Sequence, residues 1–186
     1  MRLGKRTAAA VVGLAGALIL GAMSVDARAQ QLVNEVKLGV LAHDVPDLWS
    51  GFQREDRWAD INAEVIFAPS LPLFGGTLSP ALGASINTNG DTSRAYLDAR
   101  WQLELPSSLF LGIGIGAAIH DGELDPIDAG RKALGSRVLF HVPLEIGLRL
   151  DERNSISIYY EHYSNGELAR YNEGMDSLGV RYGRKL

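Results

Sequence analysis

The chain contains no cysteine, which excludes a disulfide framework and any thiolate metal site. Basic tracts are lacking too. The 18 Lys and Arg stand against 22 Asp and Glu, for a formal net charge of −4, and no segment offers the positive stripe that follows a phosphate backbone. Nucleic acid is not an expected partner. Beyond Val25 there is no apolar run of about 18 residues, so no later segment can cross a membrane as a helix.

What is present begins with export chemistry. Met1-Arg2-Leu3-Gly4-Lys5-Arg6 is basic, Thr7 to Val25 is uncharged and rich in Ala and Gly, and Ala27-Arg28-Ala29 has the small-x-small form of a cleavage site. Residues 1–29 are therefore expected to be a signal peptide, and residues 30–186 one domain, too short for two ordinary ones. Without disulfides, that domain must be stabilised by its fold or by its surroundings.

Past the leader, apolar residues recur with period two, the signature of strands with two unlike faces. Eight such segments follow: Glu35 to Asp44, Arg57 to Ala68, Thr77 to Ile86, Ser93 to Leu103, Leu109 to Ile119, Val138 to Arg149, Asn154 to Ser164, and a last run carrying Leu178, Val180 and Tyr182. A soluble sandwich alternates as well. Three features favour a bilayer: segments of about ten residues, an even strand number and an exported chain. The second face also carries charge in several segments, as the interior of a small barrel does. The expected fold is an all-β, eight-stranded antiparallel outer-membrane β-barrel with its apolar rows toward lipid.

Loop length orients such a barrel, because periplasmic turns are short and external loops long. The connections 105–108 and 150–153 are short, whereas 45–56, 120–137 and 165–175 are long. With the N-terminus periplasmic, the seventh strand runs outward and ends at the external surface. Two connections fit less well: 69–76 is long for a periplasmic turn, and 87–92 short for an external loop.

That seventh strand ends in Glu161-His162-Tyr163-Ser164-Asn165-Gly166. A His and a Ser two residues apart share one strand face, which places a base beside a nucleophile. By parity they continue the row Ile156, Ile158, Tyr160 toward lipid, where a polar pair has no solvation reason to be. Asp176 continues the row Leu178, Val180, Tyr182 on the next strand. If that hairpin pairs residues whose numbers sum near 338, Asp176 lies opposite His162 and can orient the imidazole. Glu167 and Glu173 compete for this role but fall in the loop and are expected to be solvated. His43, His120 and His141 are scattered, without metal-ligand spacing, and read as pore-lining or rim residues. Tyr159, Tyr160, Tyr163, Tyr171 and Tyr182 read as interfacial anchors and strand formers.

His162-Tyr163-Ser164-Asn165, followed by Asn172-Glu173-Gly174-Met175-Asp176-Ser177, resembles the lipid A 3-O-deacylase family. Weaker echoes lie in Gly39 to Asp44 and Asp60 to Glu64, and the length, leader and strand number agree. The resemblance implies an outer-membrane esterase that hydrolyses a fatty-acyl ester of lipopolysaccharide, with His162 as base, Ser164 as nucleophile and Asp176 as the acid, where the family's best-known member has Glu. It further implies oxyanion donors at the Asn165 backbone N–H and the Asn172 side chain. No cofactor or metal is implied; the partners are lipid A in the outer leaflet and the membrane itself, with a homodimer left open. The rival readings are an outer-membrane phospholipase A, whose His-x-Ser-Asn-Gly motif also matches but which resembles a larger, calcium-dependent barrel, and a non-enzymatic structural barrel.

Overall fold

The structure, a computed structural model, describes residues 32–56 and 58–186; the expected cleavage site after Ala29 lies outside the described residues. The alternating segments form β1 (Val33–Ala42), β2 (Ala59–Phe67), β3 (Leu71–Leu73), β4 (Gly76–Asn87), β5 (Arg94–Glu104), β6 (Leu109–His120), β7 (Val138–Arg149), β8 (Asn154–Ser164) and β9 (Met175–Lys185). Each pairs antiparallel with its neighbours. Pairing of β1 with β9 and of β2 with β4 closes eight of them into a barrel, which leaves no long unpaired edge.

The extra strand corrects the reading of residues 69–76 as a long loop. β2 pairs with β4 as far as Ile66 opposite Ala81, and the ladder resumes with β3 at Leu71 opposite Leu78. The break coincides with Pro80, which has no N–H to offer a neighbouring strand. β3 then turns into β4 through Phe74 and Gly75 alone, at φ 48° and 78°. Two successive left-handed residues make the primed hairpin turn, so this connection is as short as a periplasmic turn should be. Phe74 supplies the first without being glycine, which is why the sequence does not announce it.

The rows divide as the periodicity predicts. Val40, Ile61, Leu82, Leu97, Ile115, Leu144, Ile158 and Val180 are exposed on the outside. Inside, side chains fill the lumen, as an interior of eight strands allows. Glu145 accepts from Lys37 at 2.8 Å, Arg100 at 3.0 Å, Arg181 at 2.6 Å and Ser157 at 2.6 Å. Toward the end bearing the long loops Glu161 accepts from Ser85 at 2.7 Å and Tyr163 at 2.9 Å, and Arg94 pairs with Asp60. Such a network offsets the desolvation of its charges only because nearly every member is partnered. Glycine makes room where rings are largest: a Cβ at Gly83 would stand 2.4 Å from the Tyr96 ring.

Two expectations change here. His43 and His141 do face inward but line no open pore, being fully buried against carboxylates. Tyr159 and Tyr163 also point into the lumen and are fully buried, so they are core residues and not interfacial anchors.

Candidate active site

β8 and β9 carry the site on the outer surface of the barrel, at the end bearing the long loops. His162 faces Asp176 across the hairpin, in the register in which Ile158 faces Val180. His162 Nδ1 hydrogen-bonds Asp176 Oδ1 at 2.7 Å. The carboxylate occupies Nδ1, which places the ring proton there and leaves Nε2 as the basic nitrogen. Tyr160 donates its hydroxyl to the same carboxylate oxygen at 2.7 Å, and the Ser50 backbone N–H donates to Oδ2 at 2.6 Å. Three donors on one buried carboxylate fix its charge and its orientation.

Although both residues sit on an outward row, His162 is 4% exposed and Asp176 0%. The cover is the loop joining β1 to β2. Val45 N–H donates to the Asp176 carbonyl at 2.9 Å. Trp49 stacks on the His162 ring with centroids 4.2 Å apart and planes within 8°. A polar pair on a lipid-facing row is thus desolvated by protein and satisfied by hydrogen bonds, not left bare to hydrocarbon.

Ser164 ends β8 on the same row, half-buried, and its hydroxyl makes no hydrogen bond among the described residues. The expected base and nucleophile are neighbours on one face but not a bonded pair; such bonds often tighten only when substrate is present. Gly166 and Glu167, both at φ 64°, then turn the chain off the barrel. Asn165 anchors that turn, its side chain donating to the carbonyls of Leu134 at 2.8 Å and Tyr171 at 2.5 Å.

The two oxyanion candidates are brought together but engage each other. Asn165 N–H donates to Asn172 Oδ1 at 2.9 Å, and Asn172 Nδ2 donates to Glu167 Oε1 at 3.0 Å. Glu173 is not solvated as expected: it accepts from Arg54 at 2.9 Å and from the Ala133 amide at 2.7 Å. Neither loop glutamate approaches the imidazole in place of Asp176. Trp49, Ser50 and Tyr160 are the site residues that the sequence did not reveal as such.

The covering loop is latched at its base. His43 lies between Asp60 on Nδ1 and Glu55 on Nε2, each at 2.9 Å. Glu55 also accepts from Thr92 Oγ1 at 2.8 Å and from the Thr92 and Lys132 amides at 2.9 and 3.1 Å. Burial alone pushes the Glu55 carboxyl up, but His43, the Thr92 and Lys132 amides and the Arg131 charge outweigh it and hold it down at about 2. Burial likewise pushes His43 down, but hydrogen bonds to Asp60 and Glu55 outweigh it and the Arg94 charge, and raise it above its ordinary 6.5.

These directions fix the sign of a pH dependence. The Glu55 contribution is complete above its ordinary 4.5 and lost as pH falls toward about 2. The His43 contribution is complete below 6.5 and lost as pH rises through the raised value. The latch should hold best between 4.5 and 6.5, so proteolytic nicking of residues 44–56 should be slowest there and quicken on the alkaline side. A nicking rate that stays flat as pH rises above 6.5, corrected for the protease's own pH profile, would remove His43 from the latch.

The family description "Lipid A 3-O-deacylase (PagL)" matches residues 37–185, nearly the whole barrel with His162, Ser164 and Asp176 inside it. The chain belongs to this family. As a lipid A 3-O-deacylase family member with a closed barrel and a lipid-facing apolar girdle, it is an outer-membrane protein. Among solved structures it is similar to the outer membrane enzyme PagL, at 20% identity and TM-score 0.59, over 82% of this chain and 99% of that one. Neisserial surface protein A matches at 10% identity and TM-score 0.49, over 82% and 96% of the two chains. The N-terminal β-barrel domain of Pseudomonas aeruginosa OprF matches at 13% identity and TM-score 0.49, over 84% and 100%. No curated protein matches the chain.

Proposed function

We propose that the protein removes the 3-O-linked acyl chain of lipid A through a Ser164-His162-Asp176 triad on the lipid-facing surface of the barrel. The observation that carries this reading is the His162 to Asp176 hydrogen bond of 2.7 Å, on the row that continues to Ser164. Ser164 Oγ attacks the ester carbonyl as His162 Nε2 takes its proton. The tetrahedral intermediate collapses, the imidazolium returns that proton to the departing sugar oxygen, and an acyl-enzyme remains on Ser164. Water, deprotonated by the same imidazole, then releases the fatty acid. Asp176 stays ionised throughout and stabilises the transient imidazolium.

The oxyanion would be held by Asn165 N–H and Asn172 Nδ2, which requires Asn165 N–H to exchange its present acceptor for the developing charge. The placement suits the substrate. A lipid already in the outer leaflet reaches the external end of β8 by lateral diffusion, its chains remaining in hydrocarbon. The protein would reach that membrane after cleavage behind Ala29. All site residues come from one chain, so the reading does not require a homodimer.

The phospholipase alternative is separated by substrate and by metal dependence. Among the described residues no three His, Cys, Asp or Glu side chains gather as a metal site, and the imidazole already has a carboxylate partner. Purified protein incubated with lipopolysaccharide and phospholipid in EDTA is expected to release fatty acid from the lipopolysaccharide at an undiminished rate, and to leave the phospholipid intact. Activity that appears only with calcium, and on phospholipid, would overturn the assignment.

A further inference from the structure

The hydrogen bond to Asp176 pins one corner of the His162 ring but leaves the ring free to hinge about that contact. For Nε2 to meet a Ser164 hydroxyl presented from the same strand face, the plane of the ring must be fixed as well. The second constraint comes from the β1–β2 loop. The Trp49 indole lies flat on the imidazole, 4.2 Å away and within 8° of parallel. Ser50, the next residue, donates its N–H to Asp176 Oδ2 at 2.6 Å, so one turn of one loop touches both members of the pair.

This loop is braced from below and from the side. Lys132, fully buried, pairs with Asp44 at 2.8 Å and donates to Ser50 Oγ at 3.2 Å. Its ammonium also stands 4.6 Å from the centre of the Phe52 ring. Arg54 bridges to Glu173 at 2.9 Å. An indole that is 64% exposed would have no reason to keep one orientation on its own; here the backbone that carries it is held at several points.

We propose that Trp49 is a positioning residue of the esterase, its indole fixing the plane of the His162 ring so that Nε2 is presented to Ser164. The assignment rests on the triad reading above. Two other roles make different demands on the side chain. A membrane anchor would act on insertion and not on turnover. A wall of the acyl-chain site would act on KM and would tolerate a branched aliphatic residue.

The test compares Trp49→Leu, which keeps apolar bulk but loses the flat face, with Trp49→Phe, which keeps it. Deacylation of detergent-dispersed lipopolysaccharide is followed at saturating and limiting substrate, with heat-modifiable gel migration reporting the folded barrel. Trp49→Leu is expected to lower kcat by roughly 10- to 100-fold, the scale on which misorientation of a catalytic group acts, while KM stays within about threefold. Trp49→Phe is expected to recover most of the loss. A Trp49→Leu kcat within about twofold of wild type, a defect confined to KM, or a Trp49→Phe variant as impaired as Trp49→Leu would each overturn the positioning role. Wild-type protein inert toward lipopolysaccharide would overturn the triad reading itself, so the two failures are distinguishable.

Discussion

Ser164→Ala is expected to lower deacylation of lipid A by roughly 10³-fold or more, a loss of about 4 kcal/mol in transition-state stabilisation. The expectation follows from the division of labour at the site. His162 and Asp176 are already hydrogen-bonded, buried and covered, and without a nucleophile on their row this arrangement has nothing to activate. His162→Ala should cost about as much, because the members of such a unit act non-additively and the double variant should lose little more than either single one. The barrel should be unaffected, since Ser164 ends its strand half-buried and without a hydrogen bond among the described residues. A Ser164→Ala protein that folds and retains more than about a tenth of wild-type activity, a loss of only about 1.4 kcal/mol, would show that another group attacks the ester.

The acid of the triad separates charge from reach. Asp176→Asn keeps the shape but cannot stabilise the imidazolium and favours the wrong imidazole tautomer, which should cost roughly 10²- to 10³-fold in kcat. Asp176→Glu is the more informative variant. The glutamate that the resemblance implies at this position suggests on sequence grounds that the longer acid would be accepted or even preferred here. The structure argues otherwise. The Asp176 carboxylate already meets His162 Nδ1, the Tyr160 hydroxyl and the Ser50 amide at 2.7, 2.7 and 2.6 Å, with no exposed surface. One more methylene would drive it into the loop that covers it, and overpacking of this kind displaces the neighbours. Asp176→Glu is therefore expected to lower kcat by about tenfold. Wild-type or better activity would mean that the covering loop yields readily and does not define the site.

The barrel was legible because period two is unmistakable over ten-residue segments and the outward rows are apolar along most of their length. The same parity exposed the site: His162 and Ser164 violate their row, and the hairpin register that opposes Ile158 to Val180 also opposes His162 to Asp176. Parity applied one step further would have shown that Tyr159 and Tyr163, on the opposite face from Tyr160, belong to the lumen. The cover was not legible. Ser50 lies 126 residues from Asp176 in the chain, and a Trp-Ser pair in a long loop has no period or spacing to declare its partner. Tyr160 was visible on the catalytic row, but nothing local distinguishes a tyrosine that anchors a membrane from one that donates to a carboxylate. The β3 turn was hidden for a similar reason, because Phe74 takes a left-handed conformation more often seen for glycine or asparagine.

Hydrolysis of one ester of lipid A by Ser164 leaves its mark on the lipid itself, where mass spectrometry of lipid A from outer membranes reads it. Cells expressing the wild-type chain should yield lipid A lighter by one 3-O-linked acyl group, and cells expressing folded, inserted Ser164→Ala should yield unmodified lipid A. Lipid A of identical mass in the two strains, whether both intact or both shortened, would contradict the account.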